Sequence, residues 1–245
     1  MSFHFTHIVG LLAGFFFLMN ESAGAVEKKE LMVPKVHTSS VLSACDVPAL
    51  LDSCKVPFHN VDIVNWEKYA YRPEVSFRMA HTGSAILLNY RVNEKSVRAV
   101  TLKDNGDVYT DSCVEFFVSP DSDSLYYNFE CNCVGTLLIE SGTYGGVRTK
   151  ADAATLAAVK RWSSLGRIPF SERMGPCRWE LVLIIPVEAF TQHSLNSLDG
   201  LRMKGNFYKC GDKTITPHFL SWSPIDLPHP AFHCPQFFGT LLFAD

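Results

Sequence analysis

The sequence predicts an all-β fold: an antiparallel β-sandwich, immunoglobulin-like or jelly-roll-like, with one short helix. The 245 residues are 47% hydrophobic and 19% charged, which is typical of a globular chain with a large core. The 15 Gly and 13 Pro residues, together with an aromatic content of 12%, favour short strands joined by frequent turns. Segments with strand character far outnumber helical ones, which argues against βαβ units and their parallel sheet.

The N-terminus has the pattern of a secretory signal peptide over residues 1–25. Its apolar run, Ile8–Met19, is shorter than the roughly 20 residues that a membrane-spanning helix needs. Small residues follow at 23–25 in the A-x-A pattern of a cleavage site. We therefore expect the leader to be removed and the protein to be secreted or periplasmic, within the cell envelope. A buried N-terminal helix is the alternative, because no Lys or Arg precedes the apolar run.

From residue 61 onward, short segments with strand character are separated by turn sequences. In chain order they are Val75–Met79, Ala85–Val92, Ser112–Val118, Leu125–Cys133, Trp179–Ile185, Leu201–Cys210 and Phe237–Phe243. The fifth is almost continuously apolar and predicts a strand covered on both faces. Ala151–Lys160 is rich in helix formers and predicts the single helix. We expect one domain over 61–245, with residues 26–60 as a lead-in packed along it.

Export permits disulfides, and all eight cysteines follow the leader. Cys45 and Cys54 flank a short segment of the lead-in and are candidates for a local bridge. Cys131 and Cys133 share one face of an alternating strand, which suits small core residues. No spacing matches a zinc template, so the sequence predicts no metal site, and the pairing of the other cysteines stays open.

The two clearest strands, Ser112–Val118 and Leu125–Cys133, form a predicted hairpin. Pro120 suits the first central position of a type I turn, and a four-residue loop there pairs Glu115 with Asn128. Because side chains alternate across a strand, one face is apolar and the other polar. The apolar face carries Val114, Phe116, Val118, Tyr127, Phe129, Cys131 and Cys133. The polar face carries Asp111, Glu115, Asn128, Glu130 and Asn132, with Tyr109 at the same parity.

The polar face has the chemistry of a sugar-binding surface. Carboxylates and amides offer the acceptors and donors that match vicinal hydroxyls, and aromatic rings supply apolar contact to a sugar ring. Trp222 lies in a Pro-bearing stretch between strands and is a candidate second ring, or a cap on the core. Arg148 and Asn206 are further candidates for the same face or its rim. The alternative is an ordinary polar outer face.

Several short strings run in the order of a known family. They are Tyr109–Phe117, Tyr127–Glu130, Ile184–Pro186, Asn206–Asp212, Ser221–Pro224 and Phe232–Gly239. Across roughly residues 60–243 the chain resembles the family 9 carbohydrate-binding modules, and within them the stand-alone bacterial family 9-like branch. The resemblance implies a β-sandwich that binds sugars in the setting of carbohydrate breakdown.

In the xylanase-linked modules of that family, a sugar end is clamped between two aromatic rings beside a carboxylate. By motif, the resemblance assigns the first ring to Tyr109, the carboxylate to Glu115 and the second ring to Trp222. The family's sugar binders have Trp at the first ring. Some members also hold structural calcium, for which this sequence offers acidic turns but no EF-hand spacing. The acidic residues of those turns are Asp104, Asp107, Asp121 and Asp123.

Charge narrows the choice of partner. The 22 basic and 25 acidic residues give a formal charge of −3, which argues against nucleic acid as the main ligand. No second apolar stretch is long enough to insert in a membrane after the leader is removed. We therefore expect a monomer that binds a mono-, oligo- or polysaccharide.

Two other functions compete with non-catalytic sugar binding. Glu115 and Glu130 are diagonal neighbours in the predicted register, about 7–8 Å apart, a separation that suits an inverting glycoside hydrolase. A sandwich face without a second domain forms no deep cleft, however, so we expect no catalysis. The other alternative is an envelope protein that keeps the sandwich for a structural or partner-binding role, which Tyr109 in place of Trp allows. His229 and His233 lie among prolines that exclude a helix, and we expect structural roles for them.

Overall fold

The computed structural model describes residues 28–38, 41–121 and 124–245. Two β-sheets pack face to face in it, so the predicted β-sandwich is confirmed. The predicted signal peptide lies outside the described residues. No helix in the described part of the chain has the length and hydrophobicity that crossing a bilayer requires.

The larger sheet has nine strands, numbered here in chain order over the whole molecule. They are β1 (Glu30–Val33), β3 (Ile63–Val64), β6 (Cys113–Ser119), β7 (Leu125–Asn132), β8 (Leu137–Thr143), β9 (Thr149–Lys150), β12 (Arg202–Cys210), β13 (Phe219–Ser221) and β14 (Gly239–Phe243). Their order is β1-β14-β12-β6-β7-β8-β9, with β13 paired to β12 and β3. The β1–β14 pair is parallel and the other pairs are antiparallel.

The smaller sheet has five antiparallel strands in the order β10-β11-β5-β4-β2. They are β2 (His59–Asn60), β4 (Glu74–His81), β5 (Ala85–Ala99), β10 (Lys160–Ser163) and β11 (Phe170–Pro186). The apolar end of β11 is covered on both faces as predicted: Leu181 and Leu183 face the other sheet, while Val182 packs under the lead-in.

The main core lies between the sheets, where the inward-facing side chains of both meet. Phe77 of β4 stacks on Phe207 of β12 with ring centroids 3.6 Å apart, and Phe207 in turn stacks on Phe116 of β6 at 5.0 Å. Burying one such side chain contributes about 1.5–3 kcal/mol to the stability of the fold. These three stacked rings therefore contribute strongly to the packing of one sheet on the other. Cys131 and Cys133 are buried in this core, as the alternation predicted.

The lead-in contains a helix that the sequence analysis missed. Helix α1 (Val47–Ser53) packs Leu51 on the outer face of the smaller sheet, and Arg78 of that sheet reaches Asp52 at 2.5 Å. Pro48 resembles a helix breaker in sequence, but proline is well tolerated in the first turn. Cys45 and Cys54 lie at opposite ends of this helix, about 10 Å or more apart, so the local bridge is not formed.

The predicted helix is present but shorter, as α2 (Ala153–Ala158). Asp152 begins it, accepting a hydrogen bond from the backbone N–H of Thr155 at 2.8 Å. All eight cysteines lie within the described residues and have free thiols.

Candidate functional site

The hairpin of β6 and β7 has the predicted faces but a different register. Glu115 lies opposite Glu130, and Phe117 lies opposite Asn128, a shift of two residues from the predicted pairing. The hydroxyl of Ser119 donates to the carbonyl of Leu125 at 2.8 Å, beyond the point where a four-residue loop closes. An even shift preserves the alternation, so the apolar side still faces the core and the polar side still faces outward.

The outward face of this hairpin forms the floor of a cavity of about 430 Å³. Glu115 and Glu130 lie at the floor, on the central strands of the larger sheet. Tyr109 comes from the turn before β6, Asp212 from the turn after β12, and Phe232 from the C-terminal loop that crosses the sheet. Three elements distant in sequence therefore build one pocket around two carboxyl groups.

The two floor carboxyls affect each other's ionisation. Directly opposed residues of neighbouring antiparallel strands have Cβ atoms about 4.5–5.5 Å apart, and both side chains are buried. Burial, followed by the neighbouring negative charge, raises the pKa of Glu115 well above its usual value, and burial likewise raises the pKa of Glu130. Burial also raises the pKa of Asp212 to about 6. At neutral pH the floor therefore offers both a carboxyl O–H donor and oxygen acceptors.

Asn128 and Arg148 lie beside the pocket and hold Glu130 in place. The side-chain amide of Asn128 donates to Glu130 Oε1 at 2.8 Å, and the guanidinium of Arg148 donates to Asn128 Oδ1. Arg148 also lies over the ring of Tyr126, with its guanidinium carbon 4.1 Å from the centroid. Of the predicted binding residues, these two position a pocket group and do not line the cavity.

Four aromatic side chains line the pocket, from Tyr109, Phe117, Phe219 and Phe232. Tyr109 is 37% exposed at the rim. Phe232 stacks on Tyr208 with ring centroids 4.1 Å apart and nearly parallel planes. Phe232 is not among the predicted rings, although its string formed part of the resemblance, because a long-range loop contact has no periodic signature in the sequence.

Trp222 lies elsewhere, and its predicted role as the second ring is corrected. It is only 3% exposed and belongs to the core between the sheets, edge-on to Phe77 and Phe207 at 6.1 and 5.5 Å. Its backbone N–H donates to the carbonyl of Phe207 at 2.9 Å, which aligns this segment with β12. The alternative given in the sequence analysis, a tryptophan that caps the core, is the one observed.

Asp111 and Asn132 are also scaffold groups that do not line the pocket. Asp111 is fully buried and accepts from the backbone N–H groups of Val100 and Thr101 at 3.0 and 2.9 Å. The amide of Asn132 donates to Asp111 at 2.9 Å, and its oxygen accepts from the N–H of Thr136 at the same distance. Together they secure the β7–β8 turn against the chain that follows β5.

Asn206 fastens the C-terminal loop to β12. Its amide donates to the carbonyl of Ser223 at 3.0 Å, and its oxygen accepts from the N–H of Ser223 at 2.8 Å. The Asn206 side chain and the Ser223 backbone thus exchange two hydrogen bonds, as two paired residues of neighbouring strands do. The structure therefore corrects the predicted place of Asn206 on the binding face or rim, because its side chain is fully buried.

Among the described residues, the acidic side chains of the predicted turns do not come together in one cluster. Asp104 is committed to a two-pronged ion pair with Arg161, with both contacts at 2.8 Å, and Asp121 contacts His193 at 3.1 Å. Asp107 lines the pocket, and Asp123 lies outside the described residues. His233 bonds the hydroxyl of Tyr126 at 3.0 Å through Nδ1 and also lines the pocket.

A larger cavity of about 760 Å³ lies on the outer face of the smaller sheet. Four of its polar side chains bond one another in pairs: Arg91 with Glu180 at 2.8 Å, and Asn93, as donor, with Glu74 at 2.9 Å. Trp179, the aromatic residue in its wall, is buried and donates its indole N–H inward to Glu94. The smaller cavity, with its rings and buried carboxyls, is therefore the better candidate site.

Comparison with solved structures identifies a near relative of the whole domain. A candidate carbohydrate-binding protein from Bacteroides uniformis is 60% identical, with a TM-score of 0.87 over 89% of this chain and 100% of that one. A comparison with curated proteins gives no match.

More distant neighbours have the same fold. A family 9 carbohydrate-binding module from Caldicellulosiruptor kristjanssonii, solved in complex with glucose, is 14% identical, with a TM-score of 0.55 over 88% of this chain and 95% of that one. A family 9 module from the same organism, solved in complex with cellotriose, is 13% identical to this chain. Its TM-score is 0.54 over 88% of this chain and 94% of that one. The family model described as carbohydrate-binding family 9 matches residues 45–243. The protein belongs to carbohydrate-binding family 9.

Proposed function

We propose that this is an exported, non-catalytic sugar-binding protein that takes a mono- or oligosaccharide end into the pocket between Tyr109 and Phe232. The observation that carries the proposal is the combination of the Tyr109 and Phe232 rings with a buried carboxyl pair in one cavity of about 430 Å³. Small-ligand pockets occupy about 300–1,000 Å³, so a sugar end fits better than a polymer lying across the sheet. The signal-peptide pattern supports export, and we expect a monomer.

The carboxyl geometry argues against an inverting hydrolase. An inverting hydrolase needs its two carboxyls about 6.5–9.5 Å apart, with the scissile bond between them. In the observed register Glu115 and Glu130 are directly opposed on one floor, so the diagonal spacing that favoured an inverting mechanism no longer holds. Direct opposition places the two side chains near the roughly 5–5.5 Å spacing of a retaining hydrolase, and the assay for new reducing ends described below tests that reaction.

The first ligands to test are those of the structural neighbours. The Caldicellulosiruptor modules were solved with glucose and cellotriose, and these sugars present vicinal hydroxyls to any carboxyl pair. A glycan array then extends the search beyond glucose-based ligands. Calorimetry on the best ligand gives the affinity, and an assay for new reducing ends tests for turnover.

Two ring variants and one control test the location of the site. Tyr109→Ala and Phe232→Ala should each weaken binding about 3–10-fold, since ring contacts contribute about 0.5–1.5 kcal/mol. Tyr144→Ala is the control, because that ring is 61% exposed outside the pocket. Equal binding by all three variants would place the sugar elsewhere. Failure to bind any glycan would favour the structural or partner-binding role in the envelope.

A further inference from the structure

Three metal-ligating side chains converge at the pocket floor, where β6 and β12 pair. Cys113 and Cys210 are directly opposed on these strands, and Glu115 follows two residues after Cys113 on the same face. One donor atom from each lies within 4.8 Å of the others, and all three side chains are buried. The thiol of Cys210 donates to Glu115 Oε1 at 2.9 Å. No other such group of three is found among the described residues.

We propose that Cys113, Cys210 and Glu115 bind a zinc ion. Two thiolates select a soft or borderline cation, whereas calcium and magnesium require oxygen ligands. Around a tetrahedral zinc, with Zn–S near 2.3 Å and Zn–O about 2.0–2.2 Å, neighbouring ligand atoms lie about 3.5–3.8 Å apart. The three ligand atoms lie within 4.8 Å of one another, which is close to these separations. Glu115 and Cys210 line the cavity, so the fourth position faces the pocket.

Carboxyl groups that can face a cation surround the three proposed ligands. Glu115, Glu130 and Asp212 face the cavity together, and Lys150 is the basic residue in its wall, at the exposed edge. Oε2 of Glu130 is buried and has no hydrogen-bond partner among the described residues. An unpaired buried carboxyl oxygen is costly, so its presence independently indicates a ligand or ion at this floor.

Binding changes the protonation of the three ligands. Zinc replaces the two thiol protons and, where Glu115 is protonated, its carboxyl proton, and these protons leave to solvent. The product is a zinc bis-thiolate carboxylate of net charge −1, with no change in oxidation state. The ion does not depend on sugar binding, since its ligands belong to the protein and its assay uses no sugar.

A disulfide between Cys113 and Cys210 is the competing product in an oxidising compartment. Directly opposed strand residues have Cα atoms about 4.5–5.5 Å apart, within the disulfide range. A disulfide has no proton to donate, however, and would leave the buried Glu115 carboxyl without its thiol partner. The convergence of three side chains, and not two, favours the ion.

Cobalt titration tests the proposal with a direct spectroscopic readout. The purified protein, with the exposed Cys45 and Cys54 replaced by Ser to remove background thiols, is freed of metal and titrated with Co²⁺, then with Zn²⁺ in competition. We expect one equivalent of cobalt, tetrahedral d–d bands, and thiolate charge transfer that zinc abolishes. Native mass spectrometry should show one zinc per chain.

Variants locate the ion. Cys113→Ser and Cys210→Ser should each weaken cobalt binding by more than the roughly 10–100-fold typical of outer-shell changes, and Glu115→Gln by at least about tenfold. Cys177→Ser, on the other sheet, is the matched control. If a serine variant does not fold, the wild-type charge-transfer spectrum still reports whether thiolates ligate cobalt. Cobalt bound without thiolate transitions, or a Cys113–Cys210 disulfide found by peptide mapping, would overturn the proposal.

Discussion

At the scale of single residues, the pocket depends on side chains that never reach it. Glu130 is one of the two floor carboxyls, and Asn128 orients it through a hydrogen bond. The side-chain oxygen of Asn128 in turn accepts a hydrogen bond from Arg148. This series of hydrogen bonds orients the Glu130 carboxyl and leaves its pocket-facing atoms available for a ligand. A buried donor that loses its partner costs more than one hydrogen bond contributes, so each link also stabilises the others.

This series of hydrogen bonds predicts the effect of Asn128→Ala. The substitution removes the donor to Glu130 Oε1 and should weaken sugar binding about 5–10-fold, the equivalent of one hydrogen bond of about 1–1.5 kcal/mol. Calorimetry measures the affinity, and a thermal melt checks that the fold persists. Asn93→Ala, a strand asparagine of the other sheet that bonds Glu74, is the control. Unchanged affinity in Asn128→Ala would show that Glu130 needs no support or takes no part.

At the scale of strands and helices, alternation was the reliable signal in the sequence. Because β6 and β7 alternate strictly, their faces were predictable although the register was wrong by two residues. The ends of β5 and β11 were missed because residues such as Glu94 and Arg178 show no apolar alternation. The two missed ends pair beyond the predicted segments: Glu94 lies opposite Cys177, and Arg178 lies opposite Asn93.

The parts of the site outside the hairpin were harder to predict. Phe232 reaches the pocket from a loop, and nothing in its neighbours' pattern indicates where that loop crosses the sheet. Trp222 lies in a segment whose composition is typical of an exposed loop. Its backbone pairs with β12, however, and its side chain packs in the core. Cys113 and Cys210 match no metal motif in sequence because only strand pairing brings them together.

The packing of β14 over Trp222 yields a prediction at this scale. A Cβ added at Gly239 would lie 2.5 Å from the indole of Trp222 and 2.5 Å from the backbone carbonyl of Lys29. Gly239→Ala should therefore lower the free energy of unfolding by about 1–3 kcal/mol, as overpacking does. Urea denaturation measures the change.

A second substitution separates the two contacts of Gly239. In a Trp222→Phe background the smaller ring relieves one of them, so Gly239→Ala should cost less there than in the wild type. An equal cost in both backgrounds would assign the strain to the Lys29 carbonyl alone.

At the scale of the whole molecule, one buried ion pair joins the two sheets. Lys209 of β12 and Glu94 of β5 approach to 2.9 Å, and neither side chain is exposed. The indole of Trp179 also donates to Glu94, at 2.7 Å. Removing one partner of a buried pair leaves an uncompensated charge and typically costs about 3–5 kcal/mol.

Lys209→Met should therefore destabilise the protein by about that amount in urea denaturation at neutral pH. The double variant Lys209→Met with Glu94→Gln removes both charges and keeps an acceptor for Trp179. It should recover at least half of the loss, because a neutral pair needs no compensation. A double variant no more stable than the single one would mean that packing of the Lys209 stem, and not charge, is what matters.

The same cluster makes stability depend on pH through His218. Its Nε2 lies 2.7 Å from the ammonium of Lys209 and 3.8 Å from Glu94, and the ring of Tyr71 packs edge-on against it. Burial first, and then the charge of Lys209, lowers the pKa of His218 to about 3. The folded protein therefore keeps this imidazole neutral down to about pH 3, whereas the unfolded chain takes up the proton near its ordinary pKa of about 6.5.

Because the unfolded state binds the extra proton, this group's contribution to stability is full above pH 6.5 and is lost as the pH falls from 6.5 toward 3. The limiting slope is about 1.4 kcal/mol per pH unit for one proton. His218→Gln keeps a side-chain hydrogen-bonding group but cannot titrate, so its free energy of unfolding should fall less steeply than that of the wild type over this range. Urea denaturation of both proteins at pH 7.5, 6, 5 and 4 measures the difference, in which the shared carboxylates cancel. Parallel curves for the two proteins would show that His218 is already protonated in the folded state, paired with Glu94 and not confined beside Lys209.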